Sequence, residues 1–352
     1  MPRRTPQGHG QLDLFALLEA TAPTSPALPD PTSETVVEPP APALTALATA
    51  QAKVLRPART TPASVSPARI AEDVEAAWHA HHGGSDIVIP LSVVAALALV
   101  SQDDPRGPDM AAEFLTLEPD DLLQVLRDIW SIAWIIHPYL IGTIALPLHS
   151  WLHDDQRPHP QLARAVHAVT HAAINAGQFA LTGHPDPALR RDADLLGAML
   201  TQMRTNSARR PLGAFYSSAS HADLMAQMML GDSADVEPGC WYYEPAAGTG
   251  SLLRALALRL SVLGHSPANF GWSMSEIQPI PAACAAVNAV VWGLGANVLV
   301  YVGDTLAASD AHERALRQRA EALADFADLT SWAGRIALIH HTDAVMSGDI
   351  AA

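Results

Sequence analysis

The run Trp241-Tyr242-Tyr243-Glu244-Pro245-Ala246-Ala247-Gly248-Thr249-Gly250-Ser251-Leu252-Leu253 restricts the folds open to this chain more than any other segment. An aromatic, strand-forming stretch ends in an acid, passes through a tight loop of small residues and opens into a helix-forming sequence. Gly248 and Gly250 let the backbone approach a bound molecule closely, where a side chain would stand in the way. The loop lacks the Lys-Ser/Thr of a phosphate-binding loop and the third glycine of a dinucleotide turn. Taken alone it is one of several kinds of nucleotide-binding turn.

Its neighbours sharpen the reading. Strand-like runs at Trp241–Glu244, Phe270–Ser275 and Asn297–Val302 alternate with helical runs at Ser251–Leu263, Pro281–Leu294 and Asp310–Ala327. Such alternation predicts parallel β-α-β units, with ligand at the carboxyl ends of the strands. The second strand runs out at Glu276, in Ser275-Glu276-Ile277-Gln278-Pro279, where an acid is placed to hold a ribose diol. The third runs out in Gly303-Asp304-Thr305. Any one of Glu244, Glu276 and Asp304 reads equally well as an ordinary exposed strand end; three on successive strands around one glycine turn point to a site. Upstream, Gly213-Ala214-Phe215-Tyr216-Ser217-Ser218 leads into a helix expected over His221–Leu230 beside the first strand.

Residues 71–208 read as a helical domain. Apolar residues recur at three- and four-residue spacing over Ala71–His82, Pro90–Ser101, Asp109–Leu117, Asp120–Ile136, Pro160–Phe179 and Pro187–Ser207. Proline or paired acids open several of these helices. Residues 1–70 hold 12 of the 28 prolines and read as a disordered tail, too poor in apolar surface to offset its chain entropy. One island interrupts it, Gln11-Leu12-Asp13-Leu14-Phe15. It resembles the pentapeptide with which bacterial DNA-processing proteins bind the replicative sliding clamp: Leu14 and Phe15 would fill an apolar pocket and Gln11 would bond at its rim. The alternative is a short amphipathic turn, Leu12–Leu18, docking on the protein's own body.

The formal charge of −15, with Lys53 the single lysine, excludes a protein that coats nucleic acid by bulk electrostatics. DNA contact would need a local stripe, and Arg190, Arg191, Arg204, Arg209 and Arg210 are the candidates; a solvated helix face is the alternative. Cys240 and Cys284 fall in expected core segments without ligand spacing, so no disulfide framework or zinc site is expected, in keeping with a reducing cytoplasm. The histidines at 79, 81, 82, 149, 153 and 159 form no metal motif, and no metal is expected. The longest apolar runs, 87–100 and 132–148, are broken by Pro90, His137, Pro138, Gly142 and Pro147, which predicts no membrane span, and no signal peptide is visible.

The order Gly-x-Phe-Tyr-Ser, Glu-Pro-Ala-Ala-Gly-Thr-Gly-Ser-Leu-Leu, Glu-Ile-x-Pro and Gly-Asp-Thr-Leu resembles the N6-adenine DNA methylase family over about residues 210–306. That family includes the modification subunits of type I restriction systems, which also carry a helical domain ahead of the catalytic one. The resemblance implies an α/β fold: a truncated Rossmann-like methyltransferase domain over 209–352, after the all-helical domain and the tail. It implies S-adenosylmethionine as cofactor and DNA as partner. Phe215 and Tyr216 would border the methionine end, and Glu244, Ala246, Gly248 and Gly250 would form the loop. Glu276 would take the ribose hydroxyls and Asp304 the adenine amino group.

The sequence departs from the family at one place. No Asn-Pro-Pro-aromatic tetrapeptide follows Asp304, so no catalytic residue is assigned. Residues 335–339 could form a fourth strand carrying His340, His341 and Asp343 at its tip; a solvent-exposed helix or strand end is the alternative. Fewer than 50 residues follow Asp304, too few to complete a seven-stranded sheet, and the open edge calls for a cover. A second methyltransferase or specificity subunit is one such partner. The two functions in view are a DNA adenine-N6 methyltransferase completed by a partner, and a non-catalytic cofactor-binding accessory tethered to the clamp.

Overall fold

The computed structural model describes residues 65–102, 107, 109–153, 159–204, 219–231 and 236–347, with side chains up to 333. Its first part is a helical assembly. Pro67–His81 (α1) starts at Pro67, where the Ser66 hydroxyl accepts from the Arg69 N–H at 3.2 Å. Ile70, Ala71, Val74 and Trp78 fall on one buried face of α1. Val88–Ala98 (α2) is buried from Ile89 to Ala98 on every side, as expected of a central helix. Met110–Leu115 (α3) and Pro119–Ile136 (α4) follow, then a π-helical turn at Leu140–Ile144 and a short Leu146–His149 (α5).

Two of the expected helices are broken. The run Pro160–Phe179 divides into Pro160–Asn175 (α6) and Gln178–Thr182 (α7), because Gly177 takes a left-handed φ of 94° between them. A side chain at Gly177 would also strike Val65 at 2.8 Å. The run Pro187–Ser207 divides into Pro187–Arg190 (α8) and Leu195–Met203 (α9). Asp194 restarts the chain as N-cap, its carboxylate accepting from the Gly197 N–H at 2.8 Å. Apolar periodicity does not register either interruption, since it continues across both.

Ala219–Leu230 (α10) precedes the α/β part. There, Trp241–Glu244 (β1), Ser251–Val262 (α11), Gly271–Glu276 (β2), Pro279–Val291 (α12), Val298–Val302 (β3) and Ala311–Ser347 (α13) follow in order. The sheet is parallel with order β1-β2-β3, pairing Trp241 with Gly271 and Trp272 with Val298. Tyr242, Trp272, Met274, Val298 and Val300 face α11 and α12; Trp241, Tyr243, Ser273, Leu299 and Tyr301 face α13. Residues 335–339 are helical, inside α13, so of the two readings of this segment the fourth strand is excluded. The run 335–339 continues the helix begun at Ala311, and Gly334 ahead of it is held inside that helix.

The helical part and the sheet share one core. The Trp292 Nε1–H donates to the Ala193 carbonyl at 3.1 Å, and α12 packs on the π-turn, on α5 and on α9. Arg191 is 6% exposed; its Nε–H donates to the Trp292 carbonyl at the C-terminus of α12 and its Nη1–H to the Ser261 hydroxyl at 3.0 Å. Arg254, 4% exposed, donates to the Arg191 carbonyl at 2.9 Å, at the end of α8. A guanidinium at a helix C-terminus meets the negative end of the helix dipole, which offsets part of its desolvation.

Candidate ligand site at the carboxyl edge of the sheet

The register arranges the three acids as a staircase. Glu244 pairs with Met274, so Glu276 lies two residues further on; Glu276 pairs with Val302, and Asp304 lies two residues beyond that. Each carboxylate accepts from the backbone N–H two positions downstream: Glu244 from Ala246 at 3.0 Å, Glu276 from Gln278 at 2.9 Å and Asp304 from Leu306 at 2.9 Å. Such Asx-like closures hold each acid at the lip of its strand without covering it. The second Glu276 oxygen accepts the Gly248 N–H at 2.9 Å, which joins the tip of β2 to the glycine loop. The Thr305 hydroxyl donates to the Pro245 carbonyl at 3.1 Å and brings the tip of β3 to the same loop.

The loop itself is tightly held. Gly248 and Gly250 have φ of 56° and 90°, the left-handed region that side-chain-bearing residues rarely adopt. The Ala247 N–H donates to the Ser275 carbonyl at 2.8 Å. From the helical part, Asp194 accepts the Thr249 hydroxyl at 2.8 Å, the Ser251 hydroxyl at 2.7 Å and the Asn288 amide at 3.1 Å. The Asn288 amide also donates to the Thr249 carbonyl at 2.9 Å. The N-terminus of α11 therefore opens onto a loop whose hydroxyls are already engaged and whose backbone faces the strand tips.

Of the residues singled out from sequence, Glu244, Ala246, Gly248, Gly250, Glu276 and Asp304 come together along this edge. Glu244, Gly248 and Glu276 are half-buried, Gly250 is buried, and Ala246 and Asp304 are exposed. Phe215 and Tyr216 lie outside the described residues, as do the Gln11–Phe15 peptide, Arg209 and Arg210. Sequence reasoning missed Asp194, although an acid directly before an apolar helical run is an N-cap signal. It also passed over Ile277 and Leu306, which directly follow Glu276 and lie two beyond Asp304, with 59% and 99% of their surface exposed. Both stood inside the quoted motifs.

Other expectations change. The arginine stripe loses one member: Arg191 is in the core, not on a surface open to DNA, while Arg204 donates to the Gln278 side chain at 2.8 Å. Cys240 is exposed at the head of β1 rather than in the core; Cys284 is buried, and burial pushes its thiol far up. His149 is buried, stacks on Trp130 and bonds His153 and the Ile141 carbonyl, each at 3.0 Å. Among the described residues no His, Cys, Asp and Glu group is arranged to hold a metal, and no helix is long and apolar enough to cross a membrane.

No known protein family matches the chain, and neither does any curated protein. Among solved structures it is similar to the methyltransferase subunit of a type I restriction-modification system from Streptococcus thermophilus, at 16% identity and a TM-score of 0.38. That likeness covers 69% of this chain and 59% of the other. It is also similar to a DrdV–DNA complex solved by cryo-electron microscopy, at 18% identity and a TM-score of 0.34, over 71% of this chain and 26% of that one. The chain thus spans less than two thirds of both neighbours, and likenesses at this level carry no argument about function.

Proposed function

We propose that this chain is a cofactor-binding protein of the DNA adenine-N6 methyltransferase type, holding S-adenosylmethionine at the carboxyl edge of its sheet. The observation that carries the reading is the Glu276 carboxylate bonded to the Gly248 N–H at the tip of β2. It joins the acid suited to a ribose diol to the loop suited to close backbone approach. The residues fit the group. Each Glu276 oxygen accepts one backbone N–H and keeps a lone pair for a hydroxyl. Asp304 stands exposed and would take an exocyclic amine, and Ile277 and Leu306 are exposed apolar side chains that would cover part of a purine ring. The cofactor would supply an electrophilic methyl group on its sulfonium, while the chain's own part is to orient it.

Methyl transfer to adenine N6 needs more than this edge. The Asn-Pro-Pro-aromatic tetrapeptide that would grip a flipped adenine is absent from the 352 residues. These residues are therefore read as the cofactor-binding component, and the grip on adenine would come from residues outside them. A clamp-tethered accessory role rests on Gln11–Phe15.

The test is calorimetric titration of the full chain with S-adenosylmethionine, beside Glu276→Ala and Asp304→Ala. Saturable binding weakened at least about tenfold, roughly 1.4 kcal/mol, in both variants is expected. A folded chain that takes up no ligand overturns the reading. Methyl incorporation into DNA by the pure chain would overturn its non-catalytic part alone.

A further inference from the structure

A glycine loop at the head of a helix ordinarily takes phosphate, through converging backbone N–H groups and the positive end of the helix dipole. Here both are already committed. The N–H of Ala246 goes to the Glu244 carboxylate at 3.0 Å, and that of Gly248 to the Glu276 carboxylate at 2.9 Å. Those of Ala247 and Gly250 go to the carbonyls of Ser275 and Ala247, each at 2.8 Å. Each of the four has its acceptor inside the protein.

The first turn of α11 is engaged as well. Asp194 accepts the Ser251 hydroxyl at 2.7 Å and the Thr249 hydroxyl at 2.8 Å, which sets a carboxylate beside the residues that open the helix. Its approach depends on Gly197: a β-carbon there would strike the Asp194 carboxylate and come within 2.8 Å of the Thr249 hydroxyl. A cavity of about 500 Å³ at this turn is lined by Asp192 and Asp194 together with Thr249, Ser251 and Arg254. Arg254 is turned to the Arg191 carbonyl at 2.9 Å and lies 3.9 Å from the Asp223 carboxylate. Arg204, nearer the tip of β2, donates to the Gln278 side chain at 2.8 Å. Both guanidiniums thus already have acceptors.

We propose that Asp194 is a specificity-determining residue: it closes the glycine loop to nucleoside phosphates and leaves it to nucleosides that are uncharged or cationic at the 5′ position. This role rests on the reading of the strand tips as a nucleoside site. A ribose held by Glu276 would lie one hydrogen bond from Gly248, so its 5′ substituent would extend along the loop toward the first turn of α11. A 5′-phosphate would arrive there to find its usual donors spent and the Asp194 carboxylate in place of a counter-charge. At separations of several ångström, and at the effective dielectric of a protein surface, such repulsion is enough to weaken binding about tenfold. A sulfonium or an amine at the same position is drawn by the charge that repels a phosphate. Asp194→Asn isolates this effect, since the amide keeps the size of the carboxylate and one acceptor oxygen but removes the charge.

The test is calorimetric titration of the full chain and of Asp194→Asn with adenosine, AMP and S-adenosylmethionine. The wild type should bind adenosine at least about tenfold more tightly than AMP, and Asp194→Asn should shrink that ratio at least about fivefold. A merely structural role would weaken adenosine and AMP alike and leave the ratio unmoved, which overturns the proposal. So does a wild type that binds AMP as tightly as adenosine, or one that binds neither, and the last outcome removes the nucleoside site with it. Discrimination between adenosine and AMP without uptake of S-adenosylmethionine upholds the role of Asp194 and overturns the cofactor reading alone. Should Asp194→Asn fail to fold, the wild type decides by salt. Its preference for adenosine should fall as ionic strength rises from about 0.02 M to about 0.5 M, because salt screens a charge repulsion and leaves a steric exclusion untouched. A preference indifferent to salt overturns the proposal.

Discussion

The Tyr139 hydroxyl lies 2.9 Å from the Val300 carbonyl oxygen and 3.1 Å from the Val300 nitrogen, so one side chain closes both outward groups of an edge residue 161 positions away. It ties the helical part directly to a strand of the sheet, and Tyr139 is only 3% exposed. Replacing it by phenylalanine leaves a buried donor and a buried acceptor unmet. Tyr139→Phe should cost about 2–4 kcal/mol, read as a lower urea midpoint with an unchanged slope.

The same residue sets an alkaline limit. Burial pushes the Tyr139 hydroxyl up to about 12, against roughly 10 for a free tyrosine. The unfolded chain therefore gives up this proton first. The contribution is fully present below about pH 10 and is lost as pH rises toward 12. Urea midpoints at pH 8 and pH 11 should fall further apart in the wild type than in Tyr139→Phe; equal drops would mean that Tyr139 is not the group responsible.

Asp194 organises the glycine loop from outside the sheet, through Thr249, Ser251, Asn288 and the Gly197 N–H. Hydrogen bonds to a carboxylate are each worth about 1.5–3 kcal/mol when one partner is removed, and they are not additive. Asp194→Ala should destabilise the fold by about 3 kcal/mol and speed amide exchange across 247–250. Asp194→Asn, which keeps one acceptor oxygen, should fall between it and the wild type.

Gly250 combines a φ of 90° with a neighbourhood already filled: a β-carbon there would lie 3.3 Å from the Trp292 ring and 3.6 Å from the Met274 sulfur. Gly250→Ala should cost about 1–2 kcal/mol from the backbone conformation alone. It should also weaken S-adenosylmethionine binding in the same calorimetric titration. Unchanged affinity would place the ligand elsewhere.

Arg191→Met keeps the bulk of a buried side chain but removes the donors to Trp292 and Ser261. A loss of about 2–3 kcal/mol in urea unfolding is expected. If the melt instead splits into two transitions, Arg191 is the joint through which the helical part and the sheet unfold together.

Much of the site was legible because it is local. Glu244, Glu276 and Asp304 each close a strand, and a strand end can be read where an aromatic or β-branched run meets an acid and small residues. Gly248 and Gly250 were legible because only glycine takes the conformation their turn needs. Asp194 was not, because its partners lie 55, 57 and 94 positions away, and nothing in its own neighbourhood marks them. The breaks at Gly177 and at Arg191–Asp194 were hidden for a related reason. Apolar spacing reports which face is buried, and both segments keep a buried face on either side of the break.

By itself, then, the sequence determined the alternation of strands and helices, the glycine turn and the acids at the strand tips, since each depends on residues within one or two turns of chain. Only the tertiary structure decided that residues 335–339 stay in α13, that Arg191 lies in the core, and that Tyr139 closes one sheet edge while, among the described residues, the outward groups of Trp241 and Tyr243 on the other stay unpaired. Those outcomes depend on which distant groups remain to satisfy a buried charge or an outward backbone bond, and local propensity carries no record of them.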